Sequence, residues 1–380
     1  MIRVGIIGGA GYTAGELLRI LLNHPEVEIA FVQSSSNAGN PLWAVHSGLF
    51  GDTELHFCAE MPDPVGHDAV QVGQDVAPVG QEVAPVGHDA VQVGQDVAPV
   101  GHDVAPVGPD THVIAGLTGN PSLHDVDVVF LCSGHGKSSA FWAEHPRPAG
   151  LKVIDLAQDY RDEHDGYVYG LPELQRDRIV GADLVANLGC FATAIQLALL
   201  PLAAAKLLPE SVNVMAITGS TGAGVKPGAT THFSWRDNNL SVYKAFTHQH
   251  LLEIHRNLNR LQPGLGEAVN FIPVRGDFAR GILAAVTVAC PLSTEEATAL
   301  YKDYYKDAAF TFVYPGAVDL KQVVNTNKCL LSLEAHEGKL LVTSVLDNLL
   351  KGASGAAVQN MNLCFGLPEK TGLQLKASAF

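Results

Sequence analysis

RVGIIGGAGYTAGELLRILLNHP, residues 3–25, combines an apolar strand, a glycine-rich turn and an amphipathic helix that Pro25 ends. The run over 3–7 is typical of a buried strand, and the leucines that follow recur at helical spacing. The glycine-rich turn follows the form G-x-x-G-x-x-[GA], which lets a pyrophosphate approach the helix N-terminus closely. In this context the turn predicts a dinucleotide-binding domain. Contacts to the dinucleotide are expected from Gly8, Gly11, Tyr12 and Thr13.

The end of the second predicted strand, 27–33, indicates which dinucleotide is bound. An NAD-binding domain usually carries an acidic residue there, which holds the ribose 2′-hydroxyl. Here the strand is followed by SSSNAG, in which Ser34 and Ser35 are small neutral donors that tolerate a 2′-phosphate. This pattern favours NADP(H). An ordinary polar loop would have the same composition, and no arginine stands nearby.

Two further apolar strands end in polar loops. DVVFLC (127–132) precedes SGHGKS, and the strand that opens LKVIDLAQDYR (151–161) ends in a polar cluster. Such strands, with helices between them, predict a doubly wound parallel sheet whose site lies at the carboxyl ends. We therefore assign residues 1–158 to a Rossmann-type dinucleotide-binding domain, with His135 of SGHG in the cofactor groove.

A seven-residue repeat lies inside this first domain. Residues 65–106 hold six units such as VGHDAVQ and VGQDVAP, with glycine in every unit and proline in four. These residues would break a helix repeatedly, which argues against a coiled coil. The repeat predicts a poorly ordered surface insertion over 65–110, with a short solenoid as the alternative.

The composition limits the possible functions. A length of 380 residues exceeds one ordinary core and predicts two domains. A net charge of −15 argues against a nucleic-acid partner, although a local basic pocket could still bind a small anionic substrate. No apolar run approaches the roughly 18 residues of a membrane span. A strand that begins at residue 2 leaves no room for a signal peptide. Six scattered cysteines suggest neither disulfides nor a zinc site, so we expect no metal and a cytoplasmic location.

The pattern changes from about residue 159 to long strands with few helices between them. Apolar runs occur over 213–224, 268–274, 281–290 and 339–346, the first leading into a glycine-rich loop. They predict a mixed or antiparallel sheet in an α+β catalytic domain over 159–346. The last stretch, 347–380, predicts a helix that packs back on the first domain.

A lone cysteine stands in ANLGCFATAIQLALLP, residues 186–201. The stretch predicts a turn at 188–189 and a helix over 193–200 that Pro201 closes, so Cys190 falls at the helix start. A cysteine there can be a small buried hydrophobe. It can also be a thiolate, because the helix dipole and free N–H groups favour negative charge. The stretch alone leaves both interpretations open.

Six motifs cover nearly the whole chain outside the repeat: GGAGYTAGEL, DLAQDYR, NLGCFATA, GSTGAG, FTHQHLLEI and DNLLKGASGAAVQN. Together they resemble the N-acyl-γ-glutamyl-phosphate reductases of arginine biosynthesis, which are relatives of aspartate-semialdehyde dehydrogenase and glyceraldehyde-3-phosphate dehydrogenase. The resemblance implies a Rossmann-type α/β domain joined to a glyceraldehyde-3-phosphate-dehydrogenase-like α+β catalytic domain. It also implies a homo-oligomer.

Three residues depart from the family motifs. Leu188 stands where the family has proline before Gly-Cys, and Gln249 and Leu252 depart from H-R-H-x-P-E. Proline would restrict the backbone that presents the cysteine. Its absence predicts a looser turn, and Leu188→Pro is expected to stabilise the protein if the native backbone permits it.

The resemblance implies that an acyl phosphate is reduced to an aldehyde with NADPH, by way of a thioester on Cys190. The matching motif makes His250 the acid/base and His248 a substrate contact. On a helix that starts near His250, Glu253 would lie on the same face and orient the imidazole.

Cationic and amide groups are expected around the substrate. Arg161 is the leading anion binder, because it follows a strand end that faces the predicted site. Asn348, matched by the motif DN-x-x-K-G, is expected at the nicotinamide amide. Further substrate contacts are expected among Lys226, Arg236, Arg280, Asn187 and Ser220.

Two rival functions remain open from the sequence. A related reductase would act on N-succinyl-glutamyl, aspartyl or aminoadipyl phosphate. A non-catalytic NADP(H)-binding sensor would be consistent with Leu188 and the insertion. The presence of Cys190, His250 and Glu253 argues against the sensor.

Overall fold

The computed structural model describes residues 1–59 and 122–378, which form two seven-stranded sheets. The strands of the first sheet are β1 (Ile2–Ile7), β2 (Val27–Gln33), β3 (Phe57–Cys58), β4 (Val128–Leu131), β5 (Lys152–Asp155), β6 (Val168–Gly170) and β7 (Leu184–Asn187). They are parallel throughout, in the order β3-β2-β1-β4-β5-β7-β6. The connecting helices are α1 (Tyr12–Leu21), α2 (Ser138–Glu144) and α3 (Pro172–Ile179). The predicted parallel α/β sheet is therefore confirmed.

The first sheet extends beyond the domain boundary expected near residue 159. Both β6 and β7 pair with it, so the sheet ends at Asn187. These strands have three and four residues, which is too short for a clear hydrophobic period. The change of pattern at 159 therefore lies inside the first domain.

The second sheet is mixed, as predicted. Its strands are β8 (Val212–Thr218), β9 (Ser241–Val242), β10 (Val269–Arg275), β11 (Ile282–Ala289), β12 (Thr311–Val313), β13 (Cys329–His336) and β14 (Lys339–Leu346). Their order is β12-β13-β14-β11-β8-β10-β9. The helices of this part are α4 (Cys190–Ala204), α5 (Phe233–Arg236), α6 (His250–Leu261) and α7 (Thr294–Tyr304). Side chains of α4, α6 and α7 share one core with the buried face of the sheet.

Helix α4 runs through Pro201 instead of ending there, which corrects the sequence prediction. A proline inside a helix leaves the carbonyl four residues earlier without its donor. The Tyr305 hydroxyl donates to that carbonyl, the Leu197 oxygen, at 2.6 Å. The Tyr301 hydroxyl donates to the next carbonyl, of Ala198, at 2.5 Å. Tertiary hydrogen bonds therefore compensate for the proline, and the helix continues to Ala204.

The chain returns to the first sheet after β14, through a π-helix (Leu350–Ser354) that leads into α8 (Gly355–Cys364). Val358 and Met361 of α8 share a core with Val4 and Leu17 of the first sheet and α1. The Ser354 hydroxyl donates to the Thr13 carbonyl at 2.8 Å, which ties the π-helix to the first turn of α1.

The repeat insertion expected over 65–110 lies outside the residues that the structure describes. Within 1–59 and 122–378, no helix is long and apolar enough to span a membrane. The same part of the chain contains no cluster of three metal-ligating side chains.

Candidate active site

A cavity of about 560 Å³ lies where loops of the two sheets meet. It is formed by the turn before α1, the loop after β4, the start of α4, the glycine-rich loop after β8, the segment before α6 and the π-helix. Of the expected site residues, its lining contains Gly11, Tyr12, Thr13, His135, Arg161, Asn187, Cys190, His248, His250 and Asn348.

Cys190 is the first residue of α4, with Gly189 as the N-cap. This confirms the expected position at the helix start, and Gly189 has no side chain with which to cap the helix. Burial raises the pKa of the Cys190 thiol to about 11, although the Phe191 N–H and the Arg161 charge act to lower it. The thiol is therefore protonated at neutral pH, and nucleophilic attack requires a base.

Two histidines provide neutral imidazoles in the same cavity lining as the Cys190 thiol. The rings of His248 and His250 lie 4.6 Å apart between centroids. Burial, reinforced by the charge of Arg161, holds the pKa of His250 well below its usual value. Burial, with Lys244 and Arg275, lowers the pKa of His248 to about 4. Within the described residues the buried Nδ1 of His250 has no hydrogen-bond partner, and the lowered pKa keeps the imidazole neutral at neutral pH.

Glu253 does not orient His250, which corrects the expected role. Its carboxylate accepts from the Arg161 Nη1 at 3.0 Å, the Gly189 N–H at 3.1 Å and the Tyr169 hydroxyl at 2.5 Å. Among the described residues it makes no hydrogen bond to His250. The two still lie close together, since a side chain at Gly189 would place its Cβ 2.4 Å from His250 Nε2 and 2.6 Å from Glu253 Oε1.

Arg161 is committed to the protein rather than free to bind an anion. Its Nε donates to the Asn187 carbonyl at 2.8 Å, and its Nη2 donates to the carbonyls of Leu188 and Leu156 at 3.2 Å. With the Glu253 ion pair, every nitrogen of the guanidinium has a partner. Arg161 therefore holds the turn before Cys190, where the family carries proline.

Several other expected residues have structural partners. Asn187 donates to the Ala353 carbonyl and accepts from Asn360. Asn348 lines the cavity but donates to the Thr221 hydroxyl and accepts from the Gly281 N–H. The structure places Arg280 in ion pairs with Glu16 and Asp347 instead of in the cavity wall. Residues outside the cavity lining are Gly8, Ser34, Ser35, Ser220, Lys226, Arg236, Glu253 and Arg280.

The sequence did not single out three residues of the cavity wall: Tyr243, Lys244 and Arg275. The Arg275 guanidinium lies 4.7 Å from the centre of the Tyr243 ring. Among the described residues neither Lys244 nor Arg275 pairs with an acidic side chain. One signal was available, because Arg275 is the last residue of β10 and so projects from a strand end.

The turn before α1 fits a dinucleotide pyrophosphate. Gly8 has a φ of +81°, and a Cβ there would lie 2.7 Å from the Ser133 nitrogen. Gly11 is the N-cap of α1 and has no side chain with which to cap the helix. The free N–H groups of its first turn, including Tyr12 and Thr13, are therefore available to phosphate oxygens.

Comparison with known proteins agrees with this geometry. The family model for the semialdehyde dehydrogenase NAD binding domain matches residues 3–75 and 81–182, and that for the semialdehyde dehydrogenase dimerisation domain matches 190–348. A protein of Phocaeicola vulgatus named N-acetyl-gamma-glutamyl-phosphate reductase is 49% identical, over 100% of both chains. The chain belongs to the N-acetyl-gamma-glutamyl-phosphate reductase family. This confirms the resemblance found in the sequence. Proteins of the same name from Bacteroides thetaiotaomicron and Flavobacterium johnsoniae are 49% and 46% identical, again over 100% of both chains.

Solved structures share the fold at low sequence identity. Aspartate semialdehyde dehydrogenase II of Vibrio cholerae, complexed with ASA, is 17% identical with a TM-score of 0.63, over 96% of this chain and 98% of that one. The Candida albicans enzyme, solved with NADP, is 13% identical with a TM-score of 0.61, over the same shares. At such identities the likeness establishes the two-domain semialdehyde dehydrogenase fold.

Proposed function

We propose that the protein uses NADPH to reduce N-acetyl-γ-glutamyl phosphate to N-acetyl-glutamate 5-semialdehyde and phosphate, by way of a thioester on Cys190. The observation that carries this proposal is a single cavity that joins the Cys190 thiol, the neutral His250 and the first turn of α1. The shared name of the relatives supports the substrate and the place in arginine biosynthesis.

Cys190 acts as the nucleophile and His250 as its base. Because the pKa of the thiol is raised to about 11, His250 takes the thiol proton as sulfur attacks the γ-carbonyl carbon. The bond between that carbon and the phosphate oxygen then breaks, which releases phosphate and leaves the acyl group on sulfur. N–H groups at the uncapped start of α4 stabilise the oxyanion that forms during attack.

The nicotinamide, when bound, supplies the hydride that reduces the thioester carbon. The carbon–sulfur bond then breaks, the aldehyde leaves, and His250 returns its proton to the sulfur. Phosphate takes its own proton from solvent.

Lys244 and Arg275 bind the anionic groups of the substrate in this proposal. They line the cavity and have no acidic partner among the described residues, whereas Arg161 and Arg280 are occupied. The His248 ring lies beside them, and its lowered pKa leaves it neutral and able to donate a hydrogen bond.

NADP(H) is preferred over NAD(H) because the segment after β2 carries Ser34 and Ser35 and no acidic side chain that would repel a 2′-phosphate. We further infer a homo-oligomer in the cytoplasm. The family model over 190–348 describes a dimerisation domain, and β8 leaves Met215 about half exposed on the outer face of the second sheet.

A reverse-direction assay tests the proposal. The protein would be supplied with phosphate, NADP⁺ or NAD⁺, and the semialdehydes of N-acetylglutamate, N-succinylglutamate, aspartate and aminoadipate. We expect the highest kcat/KM with the N-acetyl compound and NADP⁺. Equal or better use of NAD⁺ would contradict the interpretation of Ser34 and Ser35. A lack of turnover with every semialdehyde would favour the non-catalytic sensor.

A pair of cysteine variants tests the mechanism. Cys190→Ala should lose essentially all turnover and still bind NADPH. Cys132→Ala is the matched control, because Cys132 lines the same cavity and should leave the rate within a few-fold. Substantial turnover by Cys190→Ala would exclude the thioester.

A further inference from the structure

A fully buried ion pair lies behind the cavity, on the far side of the π-helix. The Lys351 Nζ contacts the Glu173 Oε1 at 2.7 Å, and both side chains are at most 1% exposed. The Lys351 Nζ also donates to the Gln359 Oε1 at 3.1 Å, and the Thr311 hydroxyl donates to the Glu173 Oε1 at 2.7 Å. Burial raises the pKa of Glu173, but the charge and hydrogen bond of Lys351 outweigh it and keep the carboxyl ionised. No step of the proposed reaction uses this pair.

The π-helix that carries Lys351 contacts three parts of the site. Gly352 packs on the nucleophile so closely that a Cβ there would lie 2.8 Å from the Cβ of Cys190. The Ala353 carbonyl accepts from Asn187, and the Ser354 hydroxyl donates to the Thr13 carbonyl. The π-helix, five consecutive residues, therefore contacts Cys190, the turn before it and the start of α1.

The register of this segment is unusual. The Gly352 N–H donates to the Asp347 carbonyl and the Ser354 N–H to the Leu349 carbonyl, each at 2.9 Å and each five residues back. This π spacing is rare, and it requires support from outside the helix. A slip of one residue to α-helical spacing would rotate the following side chains by about 100°. Lys351 or Ala353 would then face Cys190 in place of Gly352.

Stability alone does not explain a buried ion pair, because well-packed neutral residues of similar size are often at least as stable. A buried pair can instead select one register among several. Lys351 is anchored to Glu173 on α3 and Gln359 on α8, and Thr311 on β12 holds Glu173 in turn, so a slipped segment would leave a buried charge without its partner.

We infer that the Lys351–Glu173 ion pair positions the nucleophile, by fixing the π register that places Gly352 against Cys190. Lys351 and Glu173 are positioning residues that touch neither substrate nor dinucleotide. The inference rests on the proposed role of Cys190 and extends the active site to a pair of residues outside the cavity.

The test replaces both charges at once with Lys351→Met and Glu173→Gln, which avoids an unpaired buried charge. The readout is the rate at which iodoacetamide alkylates Cys190, followed by mass spectrometry of its peptide between pH 6 and pH 10. We expect alkylation at least fivefold slower and kcat at least tenfold lower. The Kd for NADPH should stay within threefold, because Ser354 gives the start of α1 one hydrogen bond, whereas two backbone bonds to Gln33 hold the preceding turn on the first sheet.

His24→Gln is the control for a general loss of stability. His24 is buried and follows the C-terminal end of α1, which is the end opposite Thr13. Its Nε2 lies 3.0 Å from the Asn362 Oδ1. This variant should melt at a lower temperature with Cys190 alkylated at the wild-type rate. If the neutral double variant also keeps the wild-type alkylation rate, the ion pair has no positioning role.

Thr311→Val decides the question if the double variant does not fold. It removes one donor to Glu173 and preserves the shape of the side chain, and we expect alkylation two- to threefold slower. An unchanged rate would overturn the inference. Alkylation needs no turnover, so inactivity of the wild-type protein on every semialdehyde would contradict the proposed function without affecting this result.

Discussion

The two sides of the cavity differ in whether their charged and polar groups are already paired within the protein. The thiol wall consists of residues 187–190 and Arg161, which are bonded to Glu253 outside the cavity lining. There the guanidinium, the carboxylate and the turn carbonyls of Asn187 and Leu188 are joined to one another. The cation wall consists of Tyr243, Lys244, His248, His250 and Arg275. Its basic side chains lack acidic partners in the described part of the chain, and the Nδ1 of His250 has no partner.

This difference separates residues that hold the protein's own backbone in place from residues that are free to bind a substrate. A charged group that already has its full set of protein partners cannot also take a substrate anion without breaking them, so Arg161 and Glu253 act on the geometry of Cys190. The cation wall has spare hydrogen-bonding capacity and positive charge. From the sequence, Arg161 was expected to bind the anion because it follows a strand end that faces the predicted site. Its hydrogen bonds within the protein instead favour the proposed binding of the anion at the opposite wall.

Glu253→Gln should give the largest effect, because it breaks the thiol wall. Removing one partner of a buried ion pair typically costs about 3–5 kcal/mol of unfolding free energy. The turn before Cys190 would also shift, and we expect kcat to fall about 100-fold. Urea unfolding and steady-state rates check both. Tyr169→Phe removes one donor without a charge and should do much less. Similar losses for both variants would contradict a role for the ion pair.

Asp155→Asn tests a buried carboxyl group that, unlike the groups of the thiol wall, is not fully hydrogen-bonded. Asp155 is fully buried, and its Oδ2 has no partner among the described residues. Burial raises the pKa of Asp155 from an ordinary 3.8 to about 6. Between these pH values the unfolded chain releases the proton while the folded protein keeps it. Wild-type stability attributable to this group therefore falls as pH rises from about 4 to 6.

Asparagine has no such proton, so Asp155→Asn should gain stability relative to wild type over that range. The gain approaches about 3 kcal/mol above pH 6, at about 1.4 kcal/mol per pKa unit. Chemical unfolding at pH 4, 5, 6 and 7 measures it. A difference between the two proteins that does not change with pH would show that Asp155 keeps an ordinary pKa in the folded state.

Arg275→Gln should affect binding and leave the fold unchanged. Losing a charged hydrogen bond to a substrate anion costs about 1.5–3 kcal/mol, which corresponds to a rise in KM of about tenfold or more. The melting temperature should change little, because among the described residues Arg275 has no acidic partner and its side chain only stacks on the Tyr243 ring. Lys302→Gln, an exposed position on α7, controls for the loss of one positive charge. Unchanged KM would remove Arg275 from the substrate site.

Leu188→Pro should give the smallest effect. Leu188 is buried in the core around α4, and proline has one fewer side-chain carbon, which costs about 0.8 kcal/mol. Proline also restricts the unfolded chain, which contributes about 0.4–1 kcal/mol in the other direction. We therefore expect a stability within about 1 kcal/mol of wild type. Leu188→Ala, which loses the packing without that gain, should cost about 2–5 kcal/mol. Equal losses in both variants would show that the backbone at 188 rejects proline.

The sequence by itself determined what depends on short stretches of chain. The strand, turn and helix at residues 3–25 follow from local apolar period and from glycine, and the structure has β1 and α1 within a few residues of the prediction. The position of Cys190 at a helix start was also readable, because the strand before it and the apolar run after it bracket the turn. Motif resemblance identified the family for the same reason, since each motif is a contiguous set of residues.

Only the tertiary structure decided which charged groups are available. Arg161 and Glu253 lie 92 residues apart, and the partners of Arg280 lie 264 and 67 residues away. No local pattern reports such pairings. Helix α4 runs through Pro201 because hydroxyls more than 100 residues later reach its carbonyls. Local propensity sets where an element can form, but hydrogen-bond satisfaction across the fold decides which side chains remain free to do chemistry.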